Sequence, residues 1–94
     1  KQDILEMGKR LNNSNADIIE WRADCYSEVR NLQKTIEVLK DLREVLPEKP
    51  LIFTFRSIIE GGNAQLSNAD YYALNCEAAN YADIQAILQR NFQS

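Results

Sequence analysis

Apolar positions along the chain recur at helical spacing, then at strand-like spacing, and the alternation repeats. Ile4, Gly8 and Leu11, flanked by Leu5 and Met7, give a short apolar face to a first helix that NNSN ends. ADIIEWR, residues 16–22, reads as a strand. Val29, Leu32, Ile36, Leu39, Leu42 and Leu46 then step by three and four residues, an amphipathic helix halted by Pro47 and the turn PEKP. LIFTFRS follows as a second strand, and after the loop IIEGGNAQL the residues Ser67 and Asp70 have the spacing of a capping box that opens a third helix. Strands separated by helices of this length predict parallel crossovers, hence an α/β fold with a parallel sheet and helices laid against it.

Two patterns compete in the last stretch. Tyr71, Leu74, Ala78, Tyr81, Ile84 and Leu88 could stripe one helix running nearly to Phe92, while ADIQAIL echoes ADIIEWR and would begin another strand near Ala82. Gln, Ala, Leu and Arg favour the helix on propensity, so a helix capped by Asp83 is the expectation.

Period-two alternation sorts the strands into faces. Ile19 and Trp21 fall on one side of the first strand, with Ile18, Glu20 and Arg22 on the other. In the second, Leu51, Phe53 and Phe55 oppose Ile52, Thr54 and Arg56. Each strand therefore has an apolar helix-facing side and an opposite side that turns polar toward its carboxyl end, where parallel α/β sheets place ligand sites. An unpaired buried charge costs several kcal/mol, so Glu20, Arg22 and Arg56 need one another, a ligand or water. An ion pair of Glu20 with one arginine, capping the sheet, would satisfy them as well as a ligand would. The repetition of the pattern on two strands favours a site, and two guanidiniums beside one carboxylate suit a small, anionic, hydroxylated molecule.

Composition narrows the function classes. The 94 residues are 45% hydrophobic and 27% charged, with 3 Gly and 2 Pro, the balance of one soluble globular unit. The formal charge is −3, with no basic face, so neither nucleic acid nor a membrane surface is an expected partner. No apolar run approaches the roughly 18 residues of a membrane span, and KQDILEMGKR lacks the apolar core of a signal peptide. Cys25 and Cys76 are too few for a disulfide scaffold and, without a histidine, cannot complete an ordinary zinc site, so reduced thiols in the cytoplasm and no metal or cofactor are expected. The chain starts at Lys1 rather than Met, which suggests a piece of something longer.

IIEWRAD, LIFTFRS and EGG, in this order and spacing, resemble the type I 3-dehydroquinate dehydratase family of the shikimate pathway. The resemblance is strongest over residues 3–75 and fades in 79–94. It implies a (β/α)₈ TIM barrel, of which residues 1–94 would be one partial-barrel domain of about three βα layers. It also implies dehydration of 3-dehydroquinate through an imine between a lysine and the substrate ketone, with a histidine removing the neighbouring proton and assisting loss of water. By resemblance Glu20, Arg22 and Arg56 line the substrate pocket, and Glu60 orients the catalytic histidine.

The chain departs from the family in its chemistry. It contains no histidine, and Lys1, Lys9, Lys34, Lys40 and Lys49 lie at the terminus, on helix faces or in a turn. A whole barrel takes about 250 residues. Three readings follow: a fragment of the dehydratase that keeps substrate-binding residues, a noncatalytic truncated barrel that binds a related anion, or a homo-oligomer in which partial barrels complete one another. Strands 17–22 and 51–56 would otherwise present open edges.

Overall fold

The computed structural model describes residues 1–88 of the chain. In chain order the elements are α1 (Gln2–Asn12), β1 (Ile19–Arg22), α2 (Leu32–Val45), β2 (Leu51–Arg56), α3 (Asn68–Ala78) and β3 (Ile84–Leu88). Short 3₁₀ turns follow β1 at Ala23–Cys25 and β2 at Ile58–Glu60. The strands form one parallel sheet in the order β1-β2-β3, with Trp21 opposite Phe53 and Thr54 opposite Ala86.

Strand alternation decides which face is buried. Ile19, Trp21, Leu51, Phe53 and Phe55 are buried together with Val38, Leu39, Leu42 and Leu46 of the α2 segment and Leu74 and Ala78 of α3. The Trp21 indole meets the Phe53 ring edge-on at 5.7 Å between centroids. Ile4, Leu5 and Leu11 of α1 pack on the margin of this core. On the opposite face of the sheet Ile18 and Ile84 are exposed while Thr54 is buried.

Helix boundaries follow local chemistry. The Asn31 side chain accepts the Lys34 N–H at 3.0 Å, so α2 starts at Leu32 and leaves Val29 buried just before it. Leu46, preceding Pro47, is out of the helical region at φ −125° and ψ 65°. Ser67 Oγ accepts the Asp70 N–H, capping α3 as its spacing predicts.

The tail departs from expectation. α3 ends at Ala78 and the chain enters a third parallel strand, not a continued helix; residues 89–92 of the expected helix lie outside the described residues. Asp83 is no helix cap. Its carboxylate accepts the Leu51 N–H at 2.8 Å and the Arg43 Nη1–H at 2.9 Å, and its own N–H donates to Leu51 carbonyl. Pairing along β2 outweighs a propensity difference of a few tenths of a kcal/mol per residue. A second correction follows: β2 is paired on both sides, so the open edges among the described residues belong to β1 and β3.

The amino end of the sheet is held by side chains on main-chain carbonyls. Arg43 Nη2 donates to the carbonyls of Leu46 and Lys49, and Lys49 Nζ reaches those of Ser14 at 2.9 Å and Ala16 at 2.6 Å. Asp83 thereby anchors the third strand to the turn before the second. Asp83→Ala is expected to remove hydrogen-exchange protection from the β3 amides while β1 and α2 keep theirs; uniform protection in the variant would show that strand pairing alone holds β3.

Candidate functional site

At the carboxyl end of the sheet the polar face of each strand emerges from the core. Glu20 is exposed, and its Oε2 accepts a hydrogen bond from Thr54 Oγ1 at 2.7 Å across the strand pair. Thr54 itself is buried at 4% exposure, so this bond satisfies a hydroxyl that water does not reach.

Arg22 does not pair with Glu20. The chain turns at Ala23–Cys25 immediately after β1, and this carries Asp24 beneath the guanidinium. Arg22 Nε donates to Asp24 Oδ1 at 2.8 Å and Nη2 donates to Oδ2 at 2.7 Å, a two-pronged charge-assisted contact. The Asp24 side chain is fully buried, whereas that of Arg22 is 35% exposed.

Asp24 has further donors from the second strand and its loop. The Arg56 N–H reaches Oδ1 at 3.2 Å, and Oδ2 takes the Asn63 N–H at 3.1 Å and its side-chain amide at 3.4 Å. Burial alone would push this carboxyl upward, but the Arg22 guanidinium and the N–H groups of Asn63 and Arg56 outweigh it and lower the pKa to about 2. Reciprocally, the bonds to Asp24 raise the pKa of Arg22, which stays charged.

The EGG stretch makes the approach of Asn63 possible. Glu60 closes the 3₁₀ turn half-buried, and Gly61 follows at φ 92°, a left-handed conformation that suits glycine. Gly62 then folds back on β2: its N–H donates to Ser57 carbonyl at 2.7 Å, and a Cβ there would lie 1.8 Å from the Arg56 carbonyl oxygen. The loop passes so close to Arg56 that no side chain fits between them.

Glu20, Arg22 and Arg56 thus emerge at one end of the sheet, with Glu60 on the loop that follows β2. Arg56 Nε is buried and has no hydrogen-bond partner among the described residues. Asp24, Thr54 and Asn63 complete the cluster and were not singled out by sequence reasoning. Asp24 lies one turn past the strand, where alternation no longer reports direction, and Asn63 is 39 residues away from it. An open cavity of about 440 Å³ beside the cluster is lined by Asp24, Cys25, Arg30 and Asn63 among others, but by none of Glu20, Arg22 and Arg56. Among the described residues no three His, Cys, Asp or Glu side chains converge to hold a metal ion, and no helix is long and apolar enough to cross a membrane.

No lysine amine is placed among these groups by a described contact: Lys1 pairs with Asp41, Lys34 with Glu28, and Lys49 serves the opposite end of the sheet.

Comparison with known proteins gives the same answer from sequence and from shape. Residues 1–93 match the family model for type I 3-dehydroquinase. The chain is 44% identical over 80 residues to the 3-dehydroquinate dehydratase of Clostridioides difficile, covering 85% of this chain and 31% of that one. It is 46% identical over 77 residues to the Klebsiella pneumoniae enzyme, covering 82% and 31%. A crystal structure of the type I enzyme from Clostridium difficile, covalently modified by comenic acid, superposes with a TM-score of 0.82 at 41% identity, over 89% of this chain and 34% of that one. The Enterococcus faecalis 3-dehydroquinate dehydratase superposes at 0.77 with 30% identity, over 92% and 36%. The chain therefore spans about a third of the length of these relatives, and its parallel βα repeats superpose on part of their (β/α)₈ barrels.

The low pKa of Asp24 sets a pH dependence. Its folded value lies below the unfolded 3.8, so its contribution is fully present above about pH 4 and is lost as the pH falls through about 2. At about 1.4 kcal/mol per unit this amounts to about 2 kcal/mol. Urea unfolding of Asp24→Asn is expected to show reduced stability at pH 7 and a gap from the wild type that closes near pH 2; a gap independent of pH would rule out ionic stabilisation.

Proposed function

The chain belongs to the type I 3-dehydroquinase family, and on that premise we propose that residues 1–94 form a substrate-binding part of a 3-dehydroquinate dehydratase, one partial-barrel unit rather than a self-sufficient catalyst. The observation that carries this reading is the presence of two arginines at the carboxyl end of the sheet, one presented by Asp24 and the other with a buried Nε that has no partner among the described residues.

In this reading Arg22 and Arg56 hold the carboxylate and hydroxyl oxygens of 3-dehydroquinate. Glu20, held by Thr54, lines the same pocket, and Glu60 orients a histidine base. The reaction forms 3-dehydroshikimate: a neutral lysine amine condenses with the substrate ketone and releases water, and the cationic imine accepts the electrons of the C–H bond broken by the histidine. The substrate hydroxyl leaves as water with the proton the histidine returns, and hydrolysis of the imine frees the product and the lysine. Lys1, Lys34 and Lys49 are engaged elsewhere, Lys9 and Lys40 belong to α1 and α2, and there is no histidine, so in this reading both groups come from outside these 94 residues. Free Cys25 and Cys76 fit a reducing cytoplasm and no cofactor is needed.

The edges of β1 and β3 left open among the described residues, with Ile18 and Ile84 exposed on one face, also favour self-association of the isolated chain. Sedimentation equilibrium at micromolar concentration is expected to report a dimer or larger; a cooperative monomer would exclude it.

The 94-residue chain should form no dehydroshikimate from 3-dehydroquinate, and borohydride followed by intact mass measurement should find no covalent adduct. An adduct on one lysine together with turnover would overturn the reading. Quinate titration should detect binding that Arg22→Lys and Arg56→Lys each weaken by roughly tenfold or more, since a planar two-pronged donor is lost. Glu20→Gln should instead tighten sulfate binding by leaving the cluster more positive. No quinate binding by the wild type would leave the cluster a structural cap.

A further inference from the structure

Asp24 is a fully buried acid that the proposed reaction does not use, yet it gathers donors from both strand ends and from the loop after β2. We propose that Asp24 is a positioning residue that fixes Arg22 in one orientation and fastens the Gly61–Asn63 loop to the end of β1, so that the two arginines meet the ligand carboxylate as a preset receptor. The proposal rests on the substrate-binding reading above and deepens it.

The donor inventory gives the role its direction. A guanidinium has five N–H groups, and Asp24 takes two of them along the Nε and Nη2 edge. Three remain, both on Nη1 and one on Nη2, an edge that still matches a carboxylate two-pronged. An arginine without such a partner must lose its rotamer freedom when it grips a ligand; here that freedom is already gone. Charge alone does not account for the arrangement, because Asp24 cancels the charge of Arg22 and lowers the attraction for any anion. What the pair gains is geometry. The same carboxylate holds the Arg56 N–H and Asn63 N–H, so the main chain beneath Arg56 is tied to the base of Arg22.

This separates two outcomes that a structural role would not separate. Replacing Asp24 with Asn adds positive charge while releasing Arg22, so sulfate, which accepts from any direction, should bind more tightly and quinate, which needs the preset edge, roughly tenfold or more weakly. In an Arg22→Met background, Asp24→Asn should weaken quinate binding clearly less than it does in the wild type, because the part of its effect that passes through Arg22 is already lost. Equal changes for both anions, or full additivity of the two substitutions, would overturn the proposal. Should Asp24→Asn fail to fold, nitrogen-detected NMR of the wild type decides: the Arg22 Nε–H should be resolved and slow to exchange with water, and exchange as fast as that of a free guanidinium would overturn the positioning role. Wild type that does not bind quinate while Arg22 Nε–H is protected would overturn the substrate-binding reading instead, and with it the ligand half of this proposal.

Discussion

Parallel pairing of β2 on both sides is the constraint from which the rest of this structure follows. Parallel neighbours cannot be joined by a tight hairpin, so each return path must cross the sheet and carries a helix. The helices then need an apolar floor, and Leu51, Phe53 and Phe55, all fully buried, provide it at the centre of the sheet. Because the pleat alternates, the residues between them are committed to the other face, and Thr54 and Arg56 reach the site as a geometric consequence of the packing beneath.

The two ends of the sheet are secured by the same physical device. A charged side chain takes main-chain groups that strand pairing leaves over: Arg43 and Lys49 gather carbonyls at the amino end, and Asp24 gathers N–H groups at the carboxyl end. The difference is what is left exposed. Arg43 and Lys49 spend their donors on the protein, whereas at the other end, among the described residues, Arg22 keeps a free edge and Arg56 a buried Nε without a partner. In a barrel this is the division between the stabilising and the functional face.

How much of this could be read from the sequence depended on how local the cause was. The faces of β1 and β2, the Pro47 stop and the Ser67 cap rest on neighbours within a few residues, and alternation or spacing reveals them. Glu20, Arg22 and Arg56 were legible because charge ends two otherwise apolar strands. Asp24 was not, since its partners Arg56 and Asn63 lie 32 and 39 residues downstream. β3 was misread for the same reason: propensity favoured a helix in ADIQAIL, and what overrides it is an edge of β2 and the Arg43 guanidinium, 40 residues upstream of Asp83. The ion pair considered from sequence joined Glu20 to one of the arginines, and the Arg22–Asp24 pair was missed because alternation says nothing about the turn that follows a strand.

The reach of the Asp24 carboxylate has a consequence for the order in which the chain matures as it is synthesised. Arg22 is made two residues earlier and can pair at once, but the remaining acceptor positions stay open to water until residue 56 and then residue 63 have been added. A carboxylate in that state is hydrated and not yet a cap. The first strand thus leaves the ribosome with its carboxyl end unfinished, and the closing of that end waits on the glycine loop, making the last-formed contacts of the two-strand unit the ones that shape its polar end.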